Sequence, residues 1–374
     1  MAKRQEQEPA RSEVLEVAPD ILRMELPIHL PGLGHVNCYA ILDREGAAVV
    51  DPGLPGPSTW RIIQERLRSA GLRVRDVHTV LVTHSHPDHF GCAVRFAKEA
   101  GAKVVAHRTF HFGPYGGPEM PEISVDDLAA HHRHVHGEAD EEEDEVPESL
   151  RSAVDEANEI VARAHVTGRT PWGGERPQPP FKTRMRWRMA RWLGKSFIPT
   201  ITHPVEHGDV LELAGREWFV VHTPGHTSDH FCLHDPTEKV MLAGDHVLPT
   251  ITPHISGVAS SPDPLASFFY SLDRVAEIQG VAKVLPAHGH PFADLAARSQ
   301  AIKRHHAERL DKVRAISREL GPATVQAFSR KLFRQRSWGA MAESETYAHL
   351  EHLRIAGNAE RHEDDDGRLV YQTG

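Results

Sequence analysis

Thr83-His84-Ser85-His86-Pro87-Asp88-His89 places three imidazoles and a carboxylate within six residues, directly after the apolar run Thr79-Val80-Leu81-Val82. In an extended backbone alternate side chains share a face, so His84 and His86 can converge on one ion. Pro87 then turns the chain, and Asp88 and His89 follow at the mouth of a helix expected over 90–100, within reach of a second ion beside the first. Imidazole and carboxylate are the ligands that borderline divalent cations such as zinc prefer. The chain carries 28 His, which makes a merely histidine-rich loop the competing reading. Four ligand-type residues at this spacing after a buried-strand pattern favour the metal site.

The remaining ligand types recur at the ends of other apolar runs. Pro224-Gly225-His226-Thr227 follows Trp218 to Val221, Gly244-Asp245 follows Val240 to Ala243, and Pro286-Ala287-His288-Gly289 follows Val281 to Leu285. Earlier comes Asp51, in Val49-Val50-Asp51-Pro52-Gly53. This ordered set resembles the metallo-β-lactamase-fold hydrolases, whose motifs are an early Asp, the HxHxDH loop, a later His, a bridging Asp and a last His. The resemblance covers about residues 14–295, less an insertion at about 108–203. It implies an αββα sandwich with the metals along one edge.

Carried over residue by residue, the resemblance implies one ion held by His84, His86 and His226, a second held by Asp88, His89 and His288, and Asp245 bridging them. It also implies that Asp51 orients the HxHxDH loop by hydrogen bonds, although an Asp-Pro-Gly turn explains the same residue. The cofactors implied are two divalent ions, zinc first, with iron or manganese as alternatives. Cations about 3.5–4 Å apart lower the pKa of a shared water and polarise a carbonyl or phosphoryl oxygen, so no Ser or Cys nucleophile is needed. Asp88 is the candidate proton acceptor.

Composition suits a large enzyme. With 374 residues and 40% hydrophobic, the chain is long enough for one large domain with additions, or for two. A formal net charge of -9 does not favour a polyanionic partner, and three scattered cysteines, Cys38, Cys92 and Cys232, indicate neither disulfides nor a thiolate metal site. Residues 1–13 are charged, have no apolar core of a signal sequence and read as disordered, and no stretch is long enough to span a bilayer. The expectations are a cytoplasmic protein without a membrane partner, and therefore not a periplasmic β-lactamase.

Strand patterns run from Val14 to Val50, a helix over 60–70 is stopped by Gly71, and a second strand block spans Asp209 to Leu248, followed by a helix near 265–278. The insertion breaks the pattern with His131, His132, His134 and His136, read as a solvated cluster rather than a metal site. An acidic run, Asp140 to Glu145, follows. Lys182 to Lys195 then sets Trp187 and Trp192 among four arginines; it reads as a core-packed helix or as a lid offering those rings to a substrate. His254 and Thr252, in the loop after Asp245, are the other candidate substrate contacts.

Residues 297–374 read as three helices (297–319, 322–333 starting with its Pro, and 343–356) and a hairpin around Asp364-Asp365-Asp366-Gly367, resembling the winged-helix tail of some members of the fold. Arg330, Lys331, Arg334 and Arg336 could meet phosphates, but the third helix carries Glu343, Glu345 and Glu351 against Arg354, which opposes a nucleic-acid partner. Dimerisation, or walling the cleft, is the expected role. The leading reading is a two-metal hydrolase using a metal-bridging hydroxide on a small thioester, ester or lactone, resembling the glyoxalase II and acyl-thioesterase branches. The alternatives are an endoribonuclease of the same fold, a mononuclear iron persulfide dioxygenase, which His288 disfavours, and a degenerate binding protein, which a filled ligand set disfavours.

Overall fold

Side chains alternate along each strand, and here the alternation sorts the apolar residues into two sheets with a core between them and a core outside each. The computed structural model describes residues 4–112, 129–131, 134–135, 148–176, 185, 196–258 and 261–374. The first sheet runs β1 (Val14–Ala18), β2 (Ile21–Leu30), β3 (Leu33–Leu42) and β4 (Ala47–Val50), paired antiparallel, then β5 (Val77–Leu81), β6 (Lys103–His107) and β7 (His203–Val205), paired parallel. In the second, β8 (Val210–Leu213), β9 (Arg216–His222), β10 (Phe231–Asp235) and β11 (Val240–Gly244) are antiparallel and β12 (Lys283–Pro286) lies parallel to β11.

In β4, Ala48 and Val50 point between the sheets, where they join Leu81, Trp218, Phe231 and Leu242. Ala47 and Val49 point outward, against Trp60, Ile63 and Leu67 of α1 (Pro57–Ser69). Those three recur at helical spacing, so one face of α1 is apolar. On the far side, Cys232 and Met241 pack under Leu265, Phe268 and Leu272 of α5 (Pro264–Ala276) and Ile302 of α6 (Leu295–Leu320). The layers are those of the expected αββα sandwich.

Local differences from the sequence reading have physical causes. The helix expected over 90–100 is two, α2 (Pro87–Phe90) and α3 (Ala93–Ala100). Between them the Leu54-Pro55 backbone crosses so closely that a Cβ on Gly91 would lie 2.1 Å from the Pro55 nitrogen. The helix expected from Pro322 starts at Val325, because Ala323–Thr324 pairs as strand β13 with β15 (Leu369–Thr373), and the Thr324 hydroxyl caps α7 (Val325–Leu332). Residues 1–13 are not disordered from Arg4 onward: Gln5–Gln7 forms a 3₁₀ turn whose Glu6 is fully buried. Composition could not reveal this, since the donors that satisfy Glu6 lie 244 and 245 residues away.

In the insertion, α4 (Glu148–Thr167) packs Ile160 against the second sheet's outer core. Of the cluster read as solvated, His131 instead bonds to the Ser267 hydroxyl at 3.1 Å and packs against the Tyr270 ring of α5, while His134 is exposed and meets the Asp273 carboxylate at 3.0 Å. His132, His136, the acidic run, Trp187 and Trp192 lie outside the described residues.

The tail keeps the expected order of helix, helix, helix and hairpin, with α8 (Ala340–Ile355) third and β14 (Ala359–Glu363) and β15 forming the hairpin. Its third helix is packed into the protein. Ten of its residues, from Ala342 to Leu353, are buried. Glu351 is sunk between Arg354, Arg361 and the Tyr371 hydroxyl, and Glu345 pairs with Arg309, so these carboxylates face the protein and not a phosphate backbone. Among the described residues no helix is long and apolar enough to cross a membrane.

Gly91→Ala should destabilise the protein by about 3 kcal/mol or more, since the added methyl meets backbone and not a movable side chain. A urea denaturation midpoint matching wild type would contradict that close approach.

Candidate metal centre

Every ligand-type residue singled out in the sequence follows the C-terminal end of a strand: Asp51 after β4, His84 to His89 after β5, His226 after β9, Asp245 after β11 and His288 after β12. Strand ends are rigid, and the side chains they carry converge at one edge of the sandwich. Two groups result, His84, His86, His226 and Asp245 in one and Asp88, His89 and His288 in the other, each with its ligand atoms within 4.8 Å of one another.

In the first group His86 Nδ1 lies 3.0 Å from His84 Nε2 and 3.1 Å from His226 Nε2. Nitrogens bound to one tetrahedral zinc at about 2.0–2.1 Å stand about 3.3 Å apart, so the spacing fits one ion. The Asp245 carboxylate sits between the groups. Its Oδ2 is 3.6 Å from both His226 Nε2 and His89 Nε2, and its Oδ1 is 3.3 Å from His288 Nε2. Asp88 Oδ2 closes the second group at 3.6 Å from His89 Nε2 and 3.7 Å from His288 Nε2.

Three atoms test whether a cation fits. His89 Nε2, His288 Nε2 and Asp245 Oδ1 are buried and, although they lie near one another, make no well-directed hydrogen bond among the described residues. Buried polar atoms are ordinarily satisfied, and a donor set of imidazoles and carboxylates converging on one space is satisfied by a divalent cation. Burial holds His84 and His86 well below the usual imidazole range, which leaves their lone pairs free to coordinate. Burial also pulls His89 and His288 down, but the carboxylates of Asp88 and Asp245 outweigh it and raise both. The same carboxylate field that favours positive charge on these imidazoles favours a cation among them.

Several of the ligands are aimed from behind. Asp51, in the left-handed region at φ 53°, accepts from Thr83 N at 2.9 Å and Thr83 Oγ1 at 2.8 Å, and pairs with His89 Nδ1 at 2.9 Å. The turn and the clamp are therefore the same residue. His226 Nδ1 donates to the His254 carbonyl and His288 Nδ1 to the His35 carbonyl, both at 2.7 Å. Carbonyl acceptors of this kind fix the tautomer and leave Nε2 facing inward. His230 Nε2 accepts the Asp245 amide at 3.0 Å, and a Cβ on Gly244 would lie 2.5 Å from that nitrogen.

His35 and His230 were not foreseen, because their partners come from other strands; Asp229, which accepts from Ser85 at 3.0 Å with burial pushing its carboxyl up to about 6, escaped for the same reason. Of the substrate candidates, His254 lies beside the centre, its imidazole 3.3 Å from Glu345 Oε2 and its side chain 23% exposed. Thr252 is half-buried in the same loop. In a third group, His306, Glu345 and His349, protein contacts fill most positions: His349 Nδ1–H donates to the Glu345 carbonyl at 2.7 Å, its Nε2 accepts from His306 Nδ1–H at 3.1 Å, and His306 Nε2 is buried with no hydrogen-bond partner among the described residues.

Asp51→Ala removes the acceptor for three donors behind the HxHxDH loop. It should cut zinc affinity by about 10–100-fold, read by chelator competition, and an unchanged affinity would refute the clamp.

Comparison with known proteins places the chain. Residues 31–314 match the Metallo-beta-lactamase superfamily. A metallo-beta-lactamase family protein from Thermus thermophilus aligns over 96% of this chain and 100% of its own, with 28% identity and a TM-score of 0.68. An atrochrysone carboxyl ACP thioesterase of Aspergillus aculeatus is 30% identical over 140 residues, 37% of this chain and 42% of that one. A hydroxyacylglutathione hydrolase of Rhizobium meliloti is 48% identical over 50 residues, 13% of this chain and 20% of that one. The chain thus spans less than half the length of these two curated relatives. With the ordered motifs gathered at one edge of a two-sheet sandwich and the superfamily match extending through most of its length, the chain belongs to the metallo-beta-lactamase superfamily.

Proposed function

We propose that the chain is a two-cation hydrolase that removes an acyl group from a thiol carrier. The observation that carries this reading is the pair of ligand groups sharing the Asp245 carboxylate. The choice of substrate class is supported by two relatives named for releasing an acyl group from a carrier, ACP in one and glutathione in the other. Two divalent ions, zinc first, would supply there a water of lowered pKa and a positive field for the carbonyl oxygen.

The chain's own groups do the rest. His84, His86 and His226 would hold one ion and Asp88, His89 and His288 the other, with Asp245 common to both and Asp51 fixing the loop behind them. Asp88 would take the proton that the attacking water loses. As the water oxygen bonds to the acyl carbon the carbon–sulfur bond breaks. The thiol leaves as thiolate, which its pKa near 8.5 allows without a dedicated acid, whereas an alkoxide would require one. His254 and Thr252 would line the approach.

A panel of acyl-CoA, acyl-glutathione, a lactone, a phosphodiester and glutathione persulfide under oxygen tests this. Thioesters should be cleaved fastest, by protein carrying two metal equivalents. A preference for the phosphodiester, or one iron per chain with dioxygen consumed, would replace the proposal with the nuclease or the dioxygenase. Asp245→Ala should reduce hydrolysis to background and lose both metals, a larger effect than His226→Ala, because it removes the group shared by both sites.

A further inference from the structure

We infer that residues 5–8 form a strap that positions the two metal half-sites separately, Glu6 acting on the His226 side and the Glu8 carbonyl on the His288 side. This rests on reading the site as a centre for two cations, and deepens it by naming what aims the ligands.

On the first side, Glu6 is fully buried, yet its carboxylate has no basic side chain bonded to it among the described contacts. It accepts instead from the backbone of the loop that follows Asp245. Oε1 takes the amides of Thr250 at 2.7 Å and Ile251 at 3.1 Å, and Oε2 takes the Thr250 hydroxyl. Arg298 grips the same stretch from the other side, donating to the Leu248 and Ile251 carbonyls at 2.6 Å. Three residues further on, the loop presents the His254 carbonyl to which His226 Nδ1 is bonded. A buried carboxylate is costly unless its oxygens are filled, and here filling them fixes the loop.

On the second side, the Glu8 carbonyl accepts from His35 Nδ1 at 2.8 Å. His35 Nε2 is thereby left as the acceptor for the Gly289 amide at 3.3 Å, while the His35 carbonyl takes His288 Nδ1. Gln5 Oε1 also accepts the His290 amide at 3.1 Å. The strap is wedged where the two loops meet: a Cβ on Gly289 would lie 2.7 Å from Pro249 and 3.4 Å from both Gln5 and Glu6. The ligand-bearing loops after β11 and β12 therefore share one support, contributed by a segment outside the sandwich.

Glu6 and His35 are positioning residues under this inference, and zinc binding by the full chain tests it independently of any activity. Chelator competition with Zn2+ alone should show two tightly held ions in wild type. Glu6→Ala should weaken one of them by about tenfold or more, His35→Ala should weaken one, and the double variant both. Glu6→Gln keeps an acceptor for the two amides and offers its amide N–H to the Thr250 oxygen, so it should return zinc affinity to within about threefold of wild type. Melting of the zinc-free proteins separates aiming from folding. Variants that melt lower but, where folded, bind both ions as wild type does would overturn the strap, as would Glu6→Ala and Glu6→Gln behaving alike. Wild type that binds no zinc would overturn the strap and the metal reading together, whereas a zinc-binding wild type with unaffected variants would overturn the strap alone.

Discussion

Seven imidazole and carboxylate groups are held against one edge of this protein with most of their surface withdrawn from water, and three of their atoms make no hydrogen bond among the described residues. Leaving such atoms buried and unmade costs about 1–3 kcal/mol each, more where charge is involved. The rest of the architecture can be understood as what is needed to hold that arrangement open. Helices cover both outer faces, two sheets exclude water from the middle, and the ligand edge receives support from three places distant in sequence: Asp51, the His254 loop and the amino-terminal strap.

The convergence follows from topology. Parallel pairing of β4 with β5 and of β11 with β12 brings Asp51 beside the HxHxDH loop and Asp245 beside His288. The two sheets meet face to face through Leu81, Trp218, Phe231, Leu242 and Leu285, so the strand ends of one sheet are registered against those of the other by packing. A slip of one residue in any of these strands would turn its apolar set to the wrong face. The geometry of the centre is therefore held by the hydrophobic core as well as by the hydrogen bonds behind its histidines.

The tail packs onto the outer side of the second sheet. Leu310 and Val313 of α6, Phe328 of α7, Tyr347, Leu350 and Leu353 of α8 and Tyr371 of β15 belong to the same apolar cluster as α5 and the outer face of the second sheet. Glu345 on α8 reaches His254 on one side and Arg309 on the other. On the third helix, whose acidity argued in the sequence against a nucleic-acid partner, Glu345 and Glu351 are bonded to arginines and a tyrosine of the protein itself.

Periodicity and spacing alone reveal much of this chain. The β4 pattern, Ala47 to Val50, is the strand observed, and the five ligand motifs each follow an apolar run that proves to be a strand, because alternating burial and turn residues leave a local imprint on composition. The resemblance in motif order was enough to assemble those runs into a sandwich. The remainder was decided by contacts between residues far apart in sequence. Gly91 splits a helix because Pro55 passes over it, and a charged amino terminus is ordered because backbone amides 244 and 245 residues away donate to the Glu6 carboxylate. His35 and His230 are ordinary histidines until other strands bring His288 and Asp245 to them. A ligand's identity is written in its own residue type and spacing, but the direction in which its lone pair points is set by the partner on its other nitrogen, and that partner is supplied only by the folded chain.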